Sequence, residues 1–403
     1  MAQKVPKPPR VFPPSISLLR EFSIPLIAGI LVAIIWANVD PAGYLAIVHA
    51  RLGPVSLEFV VNEGFMAIFF GIAAVELTDS LLPGGSLNPP RKAVAPLAAT
   101  AGGVLGPAIT FFVLNAIFGD ASLVRGWGIA TATDIALAWL VARMIFERGH
   151  PAISFLLLLA VADDAVGLAV IAIFYPDPNR AVHTPSMLFV LLAVLVAWLF
   201  RRFKVPGYWP YLLIPGPLSW MGLFWAHFHP ALALVFVVPF MPHHRSNSQT
   251  TAFDMPARGH STLSAFEHEW KVIVDFGLFF FGFANAGVQF TSVGAITWLI
   301  LASLWVGKTI GIFLFGILAR SFGFSLPSGM GMRDLFLVGM IAGIGLTVAL
   351  FVSGAAFDDP VIGGAARLGA LASVLIAPVA VLIGRMTRRP ALSPSTLRPL
   401  PPS

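Results

Sequence analysis

The sequence predicts an all-α polytopic membrane protein, and three observations carry that reading. Hydrophobic residues fill 57% of the 403 positions and charged residues only 11%, with a mean hydropathy of +0.86, far from the composition of a soluble domain. Apolar runs recur close to the ~20 residues that a helix needs to cross a bilayer. The 37 glycines and 33 prolines also fit, since both are commoner in membrane helices than in soluble ones.

The runs divide into about 12 transmembrane helices, at residues 23–38, 59–82, 93–118, 126–145, 151–175, 186–203, 208–220, 221–241, 270–290, 294–319, 334–357 and 366–386. The seventh, YWPYLLIPGPL, is short and rich in proline. A basic, Pro-rich stretch (1–22) precedes the spans and reads as a cytoplasmic tail, because no small-residue cleavage site follows the first run. A second Pro-rich tail (387–403) follows them, so residues 23–386 form one transmembrane domain.

The basic residues set the orientation. With the N-terminus inside, nearly all lysines and arginines fall in or beside cytoplasmic segments, and only Arg51, Arg125, Arg180 and Arg367 fall outside. That is the positive-inside pattern, so the net charge of +6 reflects topology and not a nucleic-acid surface. Both termini are therefore expected in the cytoplasm. The loop 242–268 is the one long polar stretch; its His243, His244, His260 and His268 either respond to pH or are simply solvated. The chain has no cysteine, which excludes disulfides, thiolate catalysis and cysteine-ligated metals.

The acids and bases left inside spans are few: Glu76 and Asp79 in the second, Asp134 in the fourth, Asp163 and Asp164 in the fifth, Asp275 in the ninth and Lys308 in the tenth. A charge at mid-bilayer costs at least ~2.5 kcal/mol, so such residues mark functional sites by default. Each must pair, line a wet cavity or change protonation. Asp163 and Asp164 sit near the middle of an otherwise apolar run, LLLLAVADDAVGLAVIAIF. Adjacent helical residues point ~100° apart, so one carboxylate faces a funnel while the other faces a neighbouring helix. Two carboxylates so close in a low dielectric do not both ionise readily and titrate as a coupled unit. With Lys308 as partner to one of them, this is a recipe for a site that takes either a small cation or protons. The plainer reading, a buried bridge that only locks helices, accounts for one acid and the lysine but not for the second acid or Asp134.

Asp134 lies in GWGIATATDIALAWL, where Gly128, Thr131 and Thr133 are poor helix formers whose oxygens suit a hard cation. GMIAGIGLTVALFVSG interrupts the eleventh span in the same way. One interrupted span per half, each the middle of three, is the pattern of inverted-topology repeats with two broken crossing helices, at about 93–175 and 294–386.

Together these residues resemble the NhaA family of sodium/proton antiporters, itself a type example of inverted repeats. The stretches that carry the resemblance are VNEGFMAIFF, NPPRKAVAPLAATAGGVLGPA, GWGIATATDIALA, LLLLAVADDAVGLAVIAIFY, FANAGV, GKTIGIFLF and VGMIAGIGLTVALF, in that order between about residues 23 and 386. The resemblance implies an electrogenic exchanger of Na⁺ (or Li⁺) for protons in the bacterial inner membrane, a secondary transporter and not an enzyme, with no cofactor and a possible homodimer. It makes Asp163 and Asp164 the cation and proton carboxylates, with Thr133 and Asp134 in the unwound part of the fourth span. Lys308 compensates the aspartate pair and the crossing helices. Glu76, Glu267, His268 and His229 match positions linked to pH response. Three departures stand out. VELTDS replaces the family's helix-two Glu, basic pair and second Glu. The first outside loop is too short for the full β-hairpin through which family members dimerise. Asp275 occupies a normally apolar place, as a new site residue or a partner of Lys271.

Three other readings use the same residues. A sodium-coupled organic-solute symporter on this fold needs a substrate cavity. An intramembrane aspartyl protease needs its two acids on two helices, whereas these are adjacent. A non-transporting sensor would keep the scaffold with the altered mouth.

Overall fold

The computed structural model describes residues 24–88, 90–176, 180–242 and 262–387. The N-terminal tail, the C-terminal tail beyond Thr387, and His243, His244 and His260 lie outside the described residues. Six helices are long and apolar enough to cross a membrane, and two bent pairs bring the number to up to 8. This is a multi-pass helical membrane protein.

The main helices, in chain order, are α1 (Ile24–Val39), α2 (Leu57–Leu81), α3 (Pro90–Phe118), α4 (Ile135–Ile145), α5 (Pro151–Phe174), α6 (Thr184–Arg202), α7 (Pro215–Ala226), α8 (Thr262–Asn285), α9 (Ala295–Ser321), α10 (Met332–Ala342), α11 (Thr347–Ala356) and α12 (Pro360–Met386), with a short helix, Pro41–Val48, between α1 and α2. Two of them contain a π-turn, Val60–Phe65 in α2 and Ser303–Gly307 in α9. The only strands among the described residues are Arg51–Leu52 and Val55–Ser56, a minimal antiparallel hairpin that turns at Gly53, where φ is 72°.

Local chemistry sets the helix ends. Pro151 and Pro360 open α5 and α12 at positions where a missing N–H costs nothing, behind His150 and Asp359, whose side chains accept the first free N–H groups. α7 ends at His227 in the left-handed conformation, φ 64°.

Several boundaries differ from the hydropathy reading. The seventh helical run extends to Ala226 and not to 220, after a one-turn start at Trp209–Leu213. The eighth segment is then a 3₁₀ stretch, Pro230–Phe236 and Val238–Phe240, with a proline in the opening turn of each piece. The ninth begins at Thr262, before the expected 270, since its first turns carry Glu267, Glu269 and Lys271 and remain helical while losing hydropathy. The twelfth begins at Pro360 and not at 366.

The core crossing is made by α3 and α9. A Cβ on Gly102 would meet the carbonyl of Gly311, and one on Gly106 would meet that of Gly307. Small residues let the two backbones approach where lipid supplies no hydrophobic drive between helices. This contact brings α9, and with it Lys308, against α3 and α5.

Candidate functional site

The chain breaks at both expected interruptions. A 3₁₀ arm, Ala121–Thr131, meets α4 at a 57° bend, and α10 meets α11 at 48°. The two breaks touch. The Asp134 N–H donates to the carbonyl of Ile344 at 2.8 Å, and the Thr133 hydroxyl lies 3.0 Å from the carbonyl of Ala342. Each break leaves helix ends with unpaired backbone groups, and each supplies partners for the other.

Asp134 serves both sides. One carboxylate oxygen accepts the N–H of Leu137 at 3.0 Å, capping α4. The other accepts the Thr347 hydroxyl at 2.5 Å, at the first residue of α11. Its negative charge thus stands at two helix N-termini, where the aligned peptide dipoles favour an anion.

Beside the crossing, the Lys308 ammonium lies 2.9 Å from Asp163 Oδ2, with both side chains fully buried. The same ammonium donates to the carbonyl of Thr131 at 2.6 Å, an acceptor freed because the arm ends there. The Thr133 hydroxyl reaches Asp163 Oδ2 at 2.7 Å. Asp163 Oδ1 and Asp164 Oδ1 are both buried without a hydrogen-bond partner. Buried carboxylate oxygens are normally satisfied. A Cβ on Gly103 would lie 3.4 Å from Asp163 Oδ1, so the glycine keeps the wall beside that oxygen open.

Thr133, Asp134, Asp163, Asp164 and Lys308 are therefore brought together. The other expected residues stand outside that group, and of them Glu76 is near enough to act on Asp164 through its charge. Lys271 stands 3.7 Å from Glu76 and 3.8 Å from Glu267 in one cluster, with Glu267 buried and the other two partly exposed. His268 is exposed beside it, and Asp275 is half-buried one turn along α8 from Lys271. His229 sits apart from that cluster: its Nδ1 is 3.1 Å from Glu63 Oε1, and Glu63 Oε2 accepts the N–H of Ala231 at 3.0 Å. Glu63 was missed in the sequence. It occupies the π-turn of α2, and an acid inside the apolar run VVNEGFMAIFF was the signal that marked it.

A second polar pair ties the same π-turn to α8. Asn62 and Asn285 exchange amide hydrogen bonds of 3.2 and 2.7 Å. Among the described residues no group of three or more His, Asp or Glu side chains is arranged to hold a metal.

The family model described as Na+/H+ antiporter 1 matches residues 19–384. The Na(+)/H(+) antiporter NhaA of Geobacter sulfurreducens is 60% identical over 372 residues, covering 92% of this chain and 97% of that protein. The Na(+)/H(+) antiporter NhaA of a Jannaschia species is 39% identical over 418 residues, covering 92% and 97%. Among solved structures, the sodium proton antiporter MjNhaP1 from Methanocaldococcus jannaschii at pH 8 superposes with a TM-score of 0.50 at 14% identity, over 93% of this chain and all of that one; that likeness concerns the fold alone. The motif resemblance, the family match and the close relatives agree: the chain belongs to the Na+/H+ antiporter 1 family, the NhaA-type secondary transporters.

Proposed function

We propose that this protein exchanges Na⁺, or Li⁺, for protons across the bacterial inner membrane by alternating access at Asp163 and Asp164. The observation that carries the reading is the buried Lys308–Asp163 contact beside two carboxylate oxygens that are buried without a partner. Na⁺ and protons are the cargo, and no cofactor enters the scheme. Facing the cytoplasm, the deprotonated carboxylates bind Na⁺ with help from Thr133, and the ion displaces Lys308 from Asp163. The ammonium keeps the Thr131 carbonyl and is not stranded. The bundle then turns the site outward, protons displace the ion, and the protonated site returns. Competition for one set of oxygens couples the two fluxes without a separate device. Exchange of unequal charge makes the cycle electrogenic, so the membrane potential drives it at ~2.3 kcal/mol per charge per 100 mV.

In this reading the chain has twelve spans with both termini in the cytoplasm, and residues 93–175 and 294–386 are inverted repeats within one domain, 23–386. Asp134 compensates the helix ends at the crossing. Glu76, Glu267 and His268, gathered near Lys271, tune access with pH from the cytoplasmic mouth, and His229 does so from its contact with Glu63. Asp275 extends the charged face of α8 toward the membrane interior. A homodimer built through the minimal hairpin at 51–56 would be small in area.

The test is Na⁺- and Li⁺-dependent collapse of a pH gradient in everted membrane vesicles from cells without their own antiporters. Wild-type protein is expected to collapse it and Asp164→Asn to leave it intact. A silent wild type, or a fully active Asp164→Asn, rules the proposal out.

A further inference from the structure

Tyr175 closes α5, twelve residues beyond Asp163 on the same helix, and is 1% exposed. Its hydroxyl donates to the carbonyl of Arg125 at 2.5 Å and accepts the N–H of Gly128 at 2.9 Å. Both partners belong to the 3₁₀ arm Ala121–Thr131. The ring lies so close to the arm that a Cβ on Gly128 would stand 2.5 Å from the hydroxyl oxygen. Further along the arm, the Thr131 hydroxyl donates to the carbonyl of Gly128 at 2.8 Å, and the Thr131 carbonyl receives the Lys308 ammonium.

These contacts form a closed circuit. Asp163 holds Lys308, Lys308 holds Thr131, Thr131 holds Gly128, and Gly128 is fixed by Tyr175, which returns to the helix of Asp163. The arm is thus tied to α5 at two heights. A 3₁₀ segment has poorer hydrogen-bond geometry than an α-helix and needs such ties to keep its carbonyls in place.

We infer that Tyr175 is a positioning residue that sets how readily a cation displaces Lys308 from Asp163, by fixing the Thr131 carbonyl that holds the ammonium when the ion pair opens. The inference rests on the antiport reading above. With the carbonyl in place, the ion-bound state keeps a partner for Lys308. With the arm loosened, the ammonium is better served by Asp163, and Na⁺ and protons meet a more tightly occupied carboxylate. The pairing Tyr–Gly is required on both sides, since any larger residue at 128 collides with the ring.

The test compares wild type with Tyr175→Phe, which removes the hydroxyl and keeps the ring, in Na⁺-dependent proton flux from vesicles. The expected result is an apparent KM for Na⁺ raised about threefold to tenfold, the effect of losing about one hydrogen bond, with kcat little changed and the pH profile displaced to lower pH, because a carboxylate held more firmly by the ammonium gives up its proton more readily. A role in stability alone would instead lower yield and melting temperature and leave KM and the pH profile where they are; that result overturns the inference. Should Tyr175→Phe not extract as a monodisperse protein, Gly128→Ala disturbs the same contact from the arm and is expected to raise KM in the same way. A wild type without exchange refutes the antiport reading and this inference with it. An active wild type with both variants unchanged refutes the inference alone.

Discussion

Lys308 and Asp163, far apart in sequence, meet at 2.9 Å with neither side chain exposed. Removing one member of such a pair strands the other charge in a low dielectric, at a cost of about 3–5 kcal/mol. Lys308→Ala and Asp163→Ala are each expected to lower the melting temperature of the purified protein sharply. The double neutral variant Asp163→Asn/Lys308→Gln is expected to recover most of it, because no charge is left unpaired. Thermal unfolding in detergent checks both.

Asp164 behaves differently. Its Oδ1 is buried without a partner, so ionising Asp164 is costly to the folded state. Asp164→Asn is expected to keep or raise the melting temperature while ion exchange is lost. A strong drop in stability would place Asp164 in the scaffold and not in the site.

Gly103 and Gly102 are neighbours with separate expected effects. A methyl group at 103 would come within 3.4 Å of Asp163 Oδ1, whereas one at 102 would run into the backbone of Gly311. Gly103→Ala is expected to weaken Na⁺ binding more than Li⁺ binding, since the smaller ion needs less room, with a smaller loss of melting temperature than Gly102→Ala, because the added methyl presses on the Ile312 side chain and not on backbone. Gly102→Ala is expected to destabilise by about 1–3 kcal/mol through overpacking, which thermal unfolding would register.

Asp134 caps one helix and holds the hydroxyl at the start of another. Asp134→Ala is expected to cost about 1 kcal/mol for the cap alone, plus the lost partner of Thr347. Asp134→Asn keeps one acceptor oxygen and is expected to fall between alanine and wild type. The order wild type, Asn, Ala in melting temperature is the readout.

Much of this was legible in the sequence because charges inside apolar runs are rare and each one must be answered. Asp163, Asp164, Asp134 and Lys308 announced themselves in that way, and Gly and Thr marked both breaks. What stayed hidden depends on how helices meet. The carbonyl of Thr131 carries no residue-type signal, and Tyr175 reads as an ordinary interfacial aromatic until its hydroxyl is seen on the arm. The pairing of His229 with Glu63 needs the register of α2 against the 3₁₀ segment. The boundary near Ala226 was blurred because YWPYLLIPGPL offers no hydropathy contrast, and the start of α8 because its charged first turns look like loop.

In the proposed exchange, Na⁺ and protons compete for the same carboxylates. Lower pH then protonates the site and raises the apparent KM for Na⁺, by at most about tenfold per pH unit for each competing proton. The most direct measurement is proton release when Na⁺ is added to purified protein in weakly buffered detergent solution. Competition gives saturable release that shrinks as the starting pH rises above the titration range of the pair, and none from Asp164→Asn. Undiminished release from Asp164→Asn, or Na⁺ binding to wild type with no release at any pH, would contradict it.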